Sequence, residues 1–206
     1  ATYYAYDAAN GWVHTVDRLG MYTTLTYNDR GFAQRVTRYA APDDAATRAA
    51  LTNLAAAAVS DRLALINGWN ATIPASAQTW EHKVFDRDGR VTHTVNTLGE
   101  VVAMKYDGNG NVVERIAYAK RIDTALWTPG QVPTLVRTPG VDRVQLSFFD
   151  AANRNTVTID GAGSVVQQKF DGNGNVIERV ALVKPYTGAA LTTEAQAQAA
   201  ILPLLS

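Results

Sequence analysis

The chain has 206 residues, 47% of them hydrophobic and 18% charged, enough to bury a core and too apolar for a disordered segment. Its 19 basic and 19 acidic residues cancel, so no long-range field draws nucleic acid or an anionic membrane, and a neutral surface favours self-association. The absence of cysteine excludes disulfides, thiol catalysis and thiolate metal sites, and no apolar run approaches the roughly 18 residues of a membrane-spanning helix.

Residues 1–41 read as the first of three repeat units. Tyr6-Asp7 leads through Asn10-Gly11 into a strand over 12–16, a turn over 17–20, a strand over 21–27, a turn over 28–31 and a strand over 32–39. The strands are rich in Thr, Tyr and Val and the turns in Asn, Asp and Gly, which supply the positive φ of tight hairpins. Residues 42–78 read as a helical insertion. Asp43 and Asp44 suit its N-terminus, Leu51, Leu54, Ala58 and Leu65 form an apolar stripe, a break is expected near Ser60, and Asn67-Gly68 is expected to stop it.

The plan returns in the second unit, 79–119, with Phe85-Asp86 leading into strands over 91–95 and 101–106. The loop insertion 120–143 is broken by Pro129, Pro133 and Pro139, with at most one helical turn over 123–127. The third unit, 144–183, starts from Phe149-Asp150 and places strands over 156–159 and 165–170. Residues 184–206 read as the start of a further helical insertion, with a capping pattern at Thr193 and Gln196. In each unit the two aromatics stand 21 residues apart, Tyr6 to Tyr27, Phe85 to Tyr106 and Phe149 to Phe170. Spacing this rigid belongs to strands joined by tight turns.

The clearest repeat is K-Y-D-G-N-G-N-V-V-E-R over 105–115, rewritten as K-F-D-G-N-G-N-V-I-E-R over 169–179. Both copies imitate a calcium loop. The Gly required at the sixth ligand-loop position is Val112 or Val176, and the Glu required at the twelfth is Tyr118 or Leu182. The stretch therefore reads as a turn that sets strand register, and no cofactor or metal is expected. His14 and His93 occupy one slot of the repeat, which holds Val157 in the third unit, so that slot reads as packing. No G-x-S-x-G, H-E-x-x-H, Walker A or G-x-G-x-x-G pattern occurs, and no catalytic residue is assigned. Most tyrosines fit a cross-strand aromatic ladder. Trp69 and Trp127, in the insertions, are the candidates for exposed ligand contact.

Y-D-A-A-N at Tyr6, F-D-R-D-G-R at Phe85, Y-D-G-N-G-N at Tyr106, F-D-A-A-N-R at Phe149 and F-D-G-N-G-N at Phe170 resemble the YD repeats of Rhs-type proteins. At Tyr27 the Asp of the motif is replaced by Asn28. That family includes Rhs toxins, the B and C components of insecticidal toxin complexes, and teneurins. The resemblance implies a mainly β fold of stacked antiparallel hairpins forming a curved sheet or shell segment, decorated with helical insertions. Its repeat-defining residues are Tyr6, Asp7, Tyr27, Phe85, Asp86, Tyr106, Asp107, Gly110, Phe149, Asp150, Phe170, Asp171 and Gly174. It further implies a non-enzymatic scaffold segment cut from a larger bacterial surface or secreted protein. Expected partners are further repeats or identical chains end to end, with a glycan- or receptor-binding adhesin module as the alternative.

Overall fold

The computed structural model describes residues 2–8, 11–40, 44–188, 191–201 and 203. In chain order they form β1 (Tyr3–Tyr6), β2 (Trp12–Val16), β3 (Met21–Tyr27), β4 (Ala33–Ala40), α1 (Ala45–Ala56), α2 (Val59–Asn70), β5 (Gln78–Phe85), β6 (Val91–Asn96), β7 (Val101–Tyr106), β8 (Val112–Ala117), β9 (Arg143–Phe149), β10 (Asn155–Ile159), β11 (Val165–Phe170), β12 (Val176–Ala181) and α3 (Glu194–Ile201). The strands make a 12-stranded antiparallel sheet whose spatial order is the chain order. A strand whose successor is joined by a tight turn pairs with it at once, so the hairpin chemistry read along the chain accounts for this topology.

The chain packs as two compact units, residues 1–84 with 94–98 and 128–131, and residues 85–93 with 99–127 and 132–206. The three sequence repeats thus condense into two bodies, divided within β5 and β6. In the first, Ala5, Val16, Tyr22 and Tyr39 of the sheet are buried with Leu54 of α1, Ile66 of α2 and Ile73. In the second, Phe148, Val157, Ile159 and Val165 are buried with Ala197 and Ile201 of α3. Val157, Ile159 and Val165 hold the repeat positions of His14, Val16 and Tyr22, so α3 covers in the third repeat the strand positions that α1 and α2 cover in the first. Each fully buried aliphatic or aromatic side chain in these clusters contributes about 1.5–3 kcal/mol.

Some local expectations shift. Asp44 caps α1, its Oδ1 accepting Thr47 N–H at 2.7 Å; Asp43 lies outside the described residues. The helical break expected near Ser60 falls at Ala57 and Ala58, both extended. The second helix runs through Asn67-Gly68 to Asn70, because Gly68 meets no neighbouring atom and Ile66 anchors that turn in the core. Leu65 is exposed, so the buried stripe runs through Leu54 and Ile66. Thr193 and Gln196 close a reciprocal capping box at α3: Gln196 N–H donates to Thr193 Oγ1 at 3.2 Å, and Thr193 N–H to Gln196 Oε1 at 3.3 Å. On β7 the deeply buried face is Val101 and Ala103, with Val102, Met104 and Tyr106 half-buried on the other.

Candidate functional site: the aspartate turns

One polar geometry recurs along the sheet. Asp107 Oδ1 accepts the backbone N–H groups of Asn109 and Asn111, each at 2.9 Å, and Oδ2 accepts Asn111 Nδ2–H at 2.9 Å. Gly110 N–H donates to Asp107 O, and Asp107 N–H to Asn111 O. Gly110 has φ 90°, a left-handed conformation that a side chain would strain, so the turn is of type I closed by a glycine bulge. The bulge appears as a register slip between Lys105 and Tyr106. Asp171 repeats every bond with Asn173 and Asn175, with Gly174 at φ 87°. The same pair of N–H donors, two and four residues on, serves Asp17, Asn28, Asp86, Asp150 and Asp160. Asp7 accepts Gly11 N–H at 2.7 Å. Asn28, the departure from the motif, forms the turn as Asp does because only one side-chain oxygen is needed.

The turns are also tied to one another. Arg90 Nε–H donates to Asp86 Oδ2 at 2.7 Å, and its guanidinium lies 5.0 Å from the centre of the Tyr106 ring. Arg154 repeats this with Asp150 at 2.7 Å, 5.1 Å from the Phe170 ring, and donates to Asp171 O at 2.9 Å. Each cation lies against a ring face, where the ring quadrupole attracts it. The hydroxyl of Tyr106 donates to Val91 O at 2.8 Å, and that of Tyr27 to Trp12 O at 2.6 Å. Asn153, at φ 60°, accepts on Oδ1 from Asn109 Nδ2–H at 2.8 Å and Asn111 Nδ2–H at 3.0 Å. The aromatic-Asp pairs and the turn glycines were legible as repeat positions. The arginines and the asparagine clamp were not singled out, although Arg recurs four residues after Asp86 and Asp150.

The electrostatics follow from these bonds. The Asn111 side chain and three backbone N–H groups hold the Asp107 carboxyl below the ordinary carboxylate range, as Asn175 and its backbone neighbours do for Asp171. Asp150 is lowered by the Arg154 side chain and backbone. At Asp86 desolvation pulls upward, and the bonds from Arg90 outweigh it. These carboxylates are ionised acceptors committed to their own turns, a poor arrangement for proton transfer or for gathering a cation. Among the described residues, no group of three or more His, Asp or Glu side chains converges to hold a metal.

The tryptophans sit differently from the expectation of an exposed pair. Trp69 packs into the core of the first unit, 6.0 Å from Tyr22 and 6.4 Å from Tyr39 between ring centres. It falls on the α2 face that meets the sheet and is half-buried there. Trp127 is half-buried. His14 is buried and tied: Tyr22 Oη–H donates to its Nδ1 at 2.7 Å, and its Nε2–H donates to Asn67 Oδ1 at 3.0 Å, joining α2 to the sheet. His93 is half-buried, its Nδ1 3.1 Å from Thr92 Oγ1. In the second unit a groove of about 680 Å³ is lined by Leu146, Phe148, Ile159, Tyr186 and Leu191. At its rim Glu114 is held between Lys105 at 2.5 Å and Arg137 at 3.1 Å.

Fold and turns together define a mainly β protein of stacked antiparallel hairpins with helical insertions. No family model matches the chain, and no curated protein matches it in sequence. Solved structures do. The crystal structure of TcdB2-TccC3 is 14% identical with a TM-score of 0.53, covering 89% of this chain and 8% of its own. That of TcdB2-TccC3-Cdc42 is 13% identical with a TM-score of 0.50, covering 90% and 8%. That of TcdB2-TccC3 without its hypervariable C-terminal region is 12% identical with a TM-score of 0.50, again covering 90% and 8%. The chain therefore shares its fold with a segment of those proteins and spans about 8% of their length.

Proposed function

We propose that this chain is a non-enzymatic scaffold segment of the YD/Rhs type, building a wall of stacked hairpins within a larger secreted or surface-exposed bacterial protein. The carrying observation is that one turn, with its carboxylate bound to its own backbone, sets strand after strand in register. In the second unit Arg90, Arg154 and the clamp of Asn109 and Asn111 on Asn153 then link successive hairpins. The sequence resemblance to YD repeats and the shared fold with TcdB2-TccC3 segments support the same reading. Its partners are further hairpins of the same kind.

A duplicated repeat tests this. Residues 120–183 are copied and inserted after Val183, so that a fourth unit follows the third. A stacking scaffold buries the new hairpins on β12, so the urea m-value rises with the added surface and unfolding stays cooperative. An added repeat that unfolds separately at low urea, with the original transition unchanged, would overturn the reading.

A further inference from the structure

One slot of the repeat changes sign along the chain. Glu114 stands seven residues after Asp107, Glu178 seven after Asp171, and Arg35 seven after Asn28. Glu114 faces Lys105 across the β7–β8 ladder at 2.5 Å, and Arg137 reaches it at 3.1 Å from the following insertion. Glu178 faces Lys169 at 2.8 Å. Arg35 faces Thr26 in the same register on β3, so the reversal of sign brings no opposite charge with it.

Among the described residues none arrives from elsewhere. On β5 the residue opposite Arg35 is His82, and Glu81 falls on the other face of the sheet. The helical insertion after β4 brings Asp44 and Asp61, which are bound to Thr47 N–H and to the Ser60 hydroxyl. Arg35 rests 4.7 Å from the centre of the Trp80 ring, as Arg90 and Arg154 rest on Tyr106 and Phe170. Those two arginines also hold carboxylates. Arg90 takes Asp86 on Nε at 2.7 Å and Asp88 on Nη2 at 2.9 Å, and Arg154 takes Asp150 on Nη2 at 2.7 Å. Arg35 has the ring without the carboxylate. Its Nε is buried and has no hydrogen-bond partner among the described residues, and burial lowers its pKa with no carboxylate to counter the shift. A half-buried cation left in that state is costly. Thr26 is exposed, so the side that Lys105 covers in the second repeat is open to solvent here. Because β4 is bonded to β3 and β5, the slot lies on the face of the sheet and not at an edge.

We infer that Arg35, backed by Trp80, binds the carboxylate of an aspartate or glutamate side chain on a partner polypeptide that crosses this face of the first unit. The second repeat shows how such a slot is completed: a polypeptide segment passes over it and brings Arg137 to Glu114. With the sign reversed, the same slot takes an acid. A guanidinium suits that task, since its planar donors match a carboxylate and its face stacks on a ring.

Nuclear magnetic resonance of the arginine Nε–H groups tests this, with the Arg35 signal assigned by its loss in R35Q. The probes are the peptide acetyl-Ala-Glu-Ala-amide, its glutamine counterpart and sodium acetate, at constant ionic strength. The glutamate peptide should shift the Arg35 signal saturably, at about fivefold lower concentration than acetate, through one further hydrogen bond to its backbone. The glutamine peptide should leave the signal in place. T26E, which sets a carboxylate where the second repeat has Lys105, should fill the slot from within. Its urea midpoint should exceed that of T26Q, and its Arg35 signal should no longer respond to the glutamate peptide. Equal shifts with both peptides, no shift with either, or an undiminished response in T26E overturns the inference. Saturation by acetate at the same concentration as by the peptide overturns the polypeptide source and assigns the slot to a free carboxylate.

Discussion

At the third repeat, one carbonyl shows how a substitution is absorbed. In the second repeat Val91 O receives the Tyr106 hydroxyl. The equivalent carbonyl, Asn155 O, faces a repeat position where Phe170 has no hydroxyl, and Gln168 Nε2–H reaches it at 3.4 Å instead. Gln168 stands where the second repeat has Met104, so two departures from the repeat compensate each other. Q168M alone should destabilise the chain by about 1 kcal/mol, by removing the donor. F170Y alone should change stability by less than about 0.5 kcal/mol, because its hydroxyl competes for an occupied acceptor. The double change should return close to the parent, giving a coupling of about 1 kcal/mol in a urea-melt double-mutant cycle. Additive effects would show that the two side chains do not share the carbonyl.

Among the elements, the turns separate two uses of glycine. Gly110 has φ 90° with open space around it, so only the backbone conformation requires glycine there. Gly99 has φ 76° and lies under the following insertion: Ile122 N–H donates to Gly99 O at 2.9 Å, and an added Cβ would meet Ile122 O at 2.1 Å. Gly163 repeats this with Tyr186, whose N–H donates to Gly163 O at 2.7 Å and whose carbonyl oxygen an added Cβ would meet at 2.4 Å. G110A should therefore cost about 1–2 kcal/mol of strain. G99A and G163A should each cost more, because the insertion's backbone must also move, and thermal melts of the three variants would rank them. This contrast marks what could be read from the chain. Turns and strands were legible because Asp, Asn and Gly act within five residues of themselves. Trp69 was not, since its exposure depends on α2 turning that face onto Tyr22 and Tyr39. The asparagine clamp joins residues 42 and 44 apart, where no local pattern points.

For the molecule as a whole, two classes of buried or bonded group set a staged response to acid. His14 and His93 are lowered by burial, and His82 by burial and then by the Arg35 charge. A histidine with a lowered folded pKa binds its proton first in the unfolded chain. Its contribution is complete above the unfolded value of about 6.5 and is lost progressively as pH falls from there toward the folded value. The carboxylates of Asp107, Asp150 and Asp171 are lowered by hydrogen bonds in the folded state. Their contribution is complete above the unfolded value of about 3.9 and is lost as pH falls through the folded values. Urea midpoints should therefore be flat from pH 8 to about 6.5, decline gently as pH falls below that, and fall steeply below about 4. The groups facing His14 are Tyr22 and Thr24 from β3 and Asn67 from α2. H14V/Y22V, which installs the third repeat's Val157 and Val165 at these positions, should shrink the gentle decline and leave the steep one in place. An unchanged decline below about pH 6.5 would mean that His14 takes up its proton in the folded chain as readily as in the unfolded one.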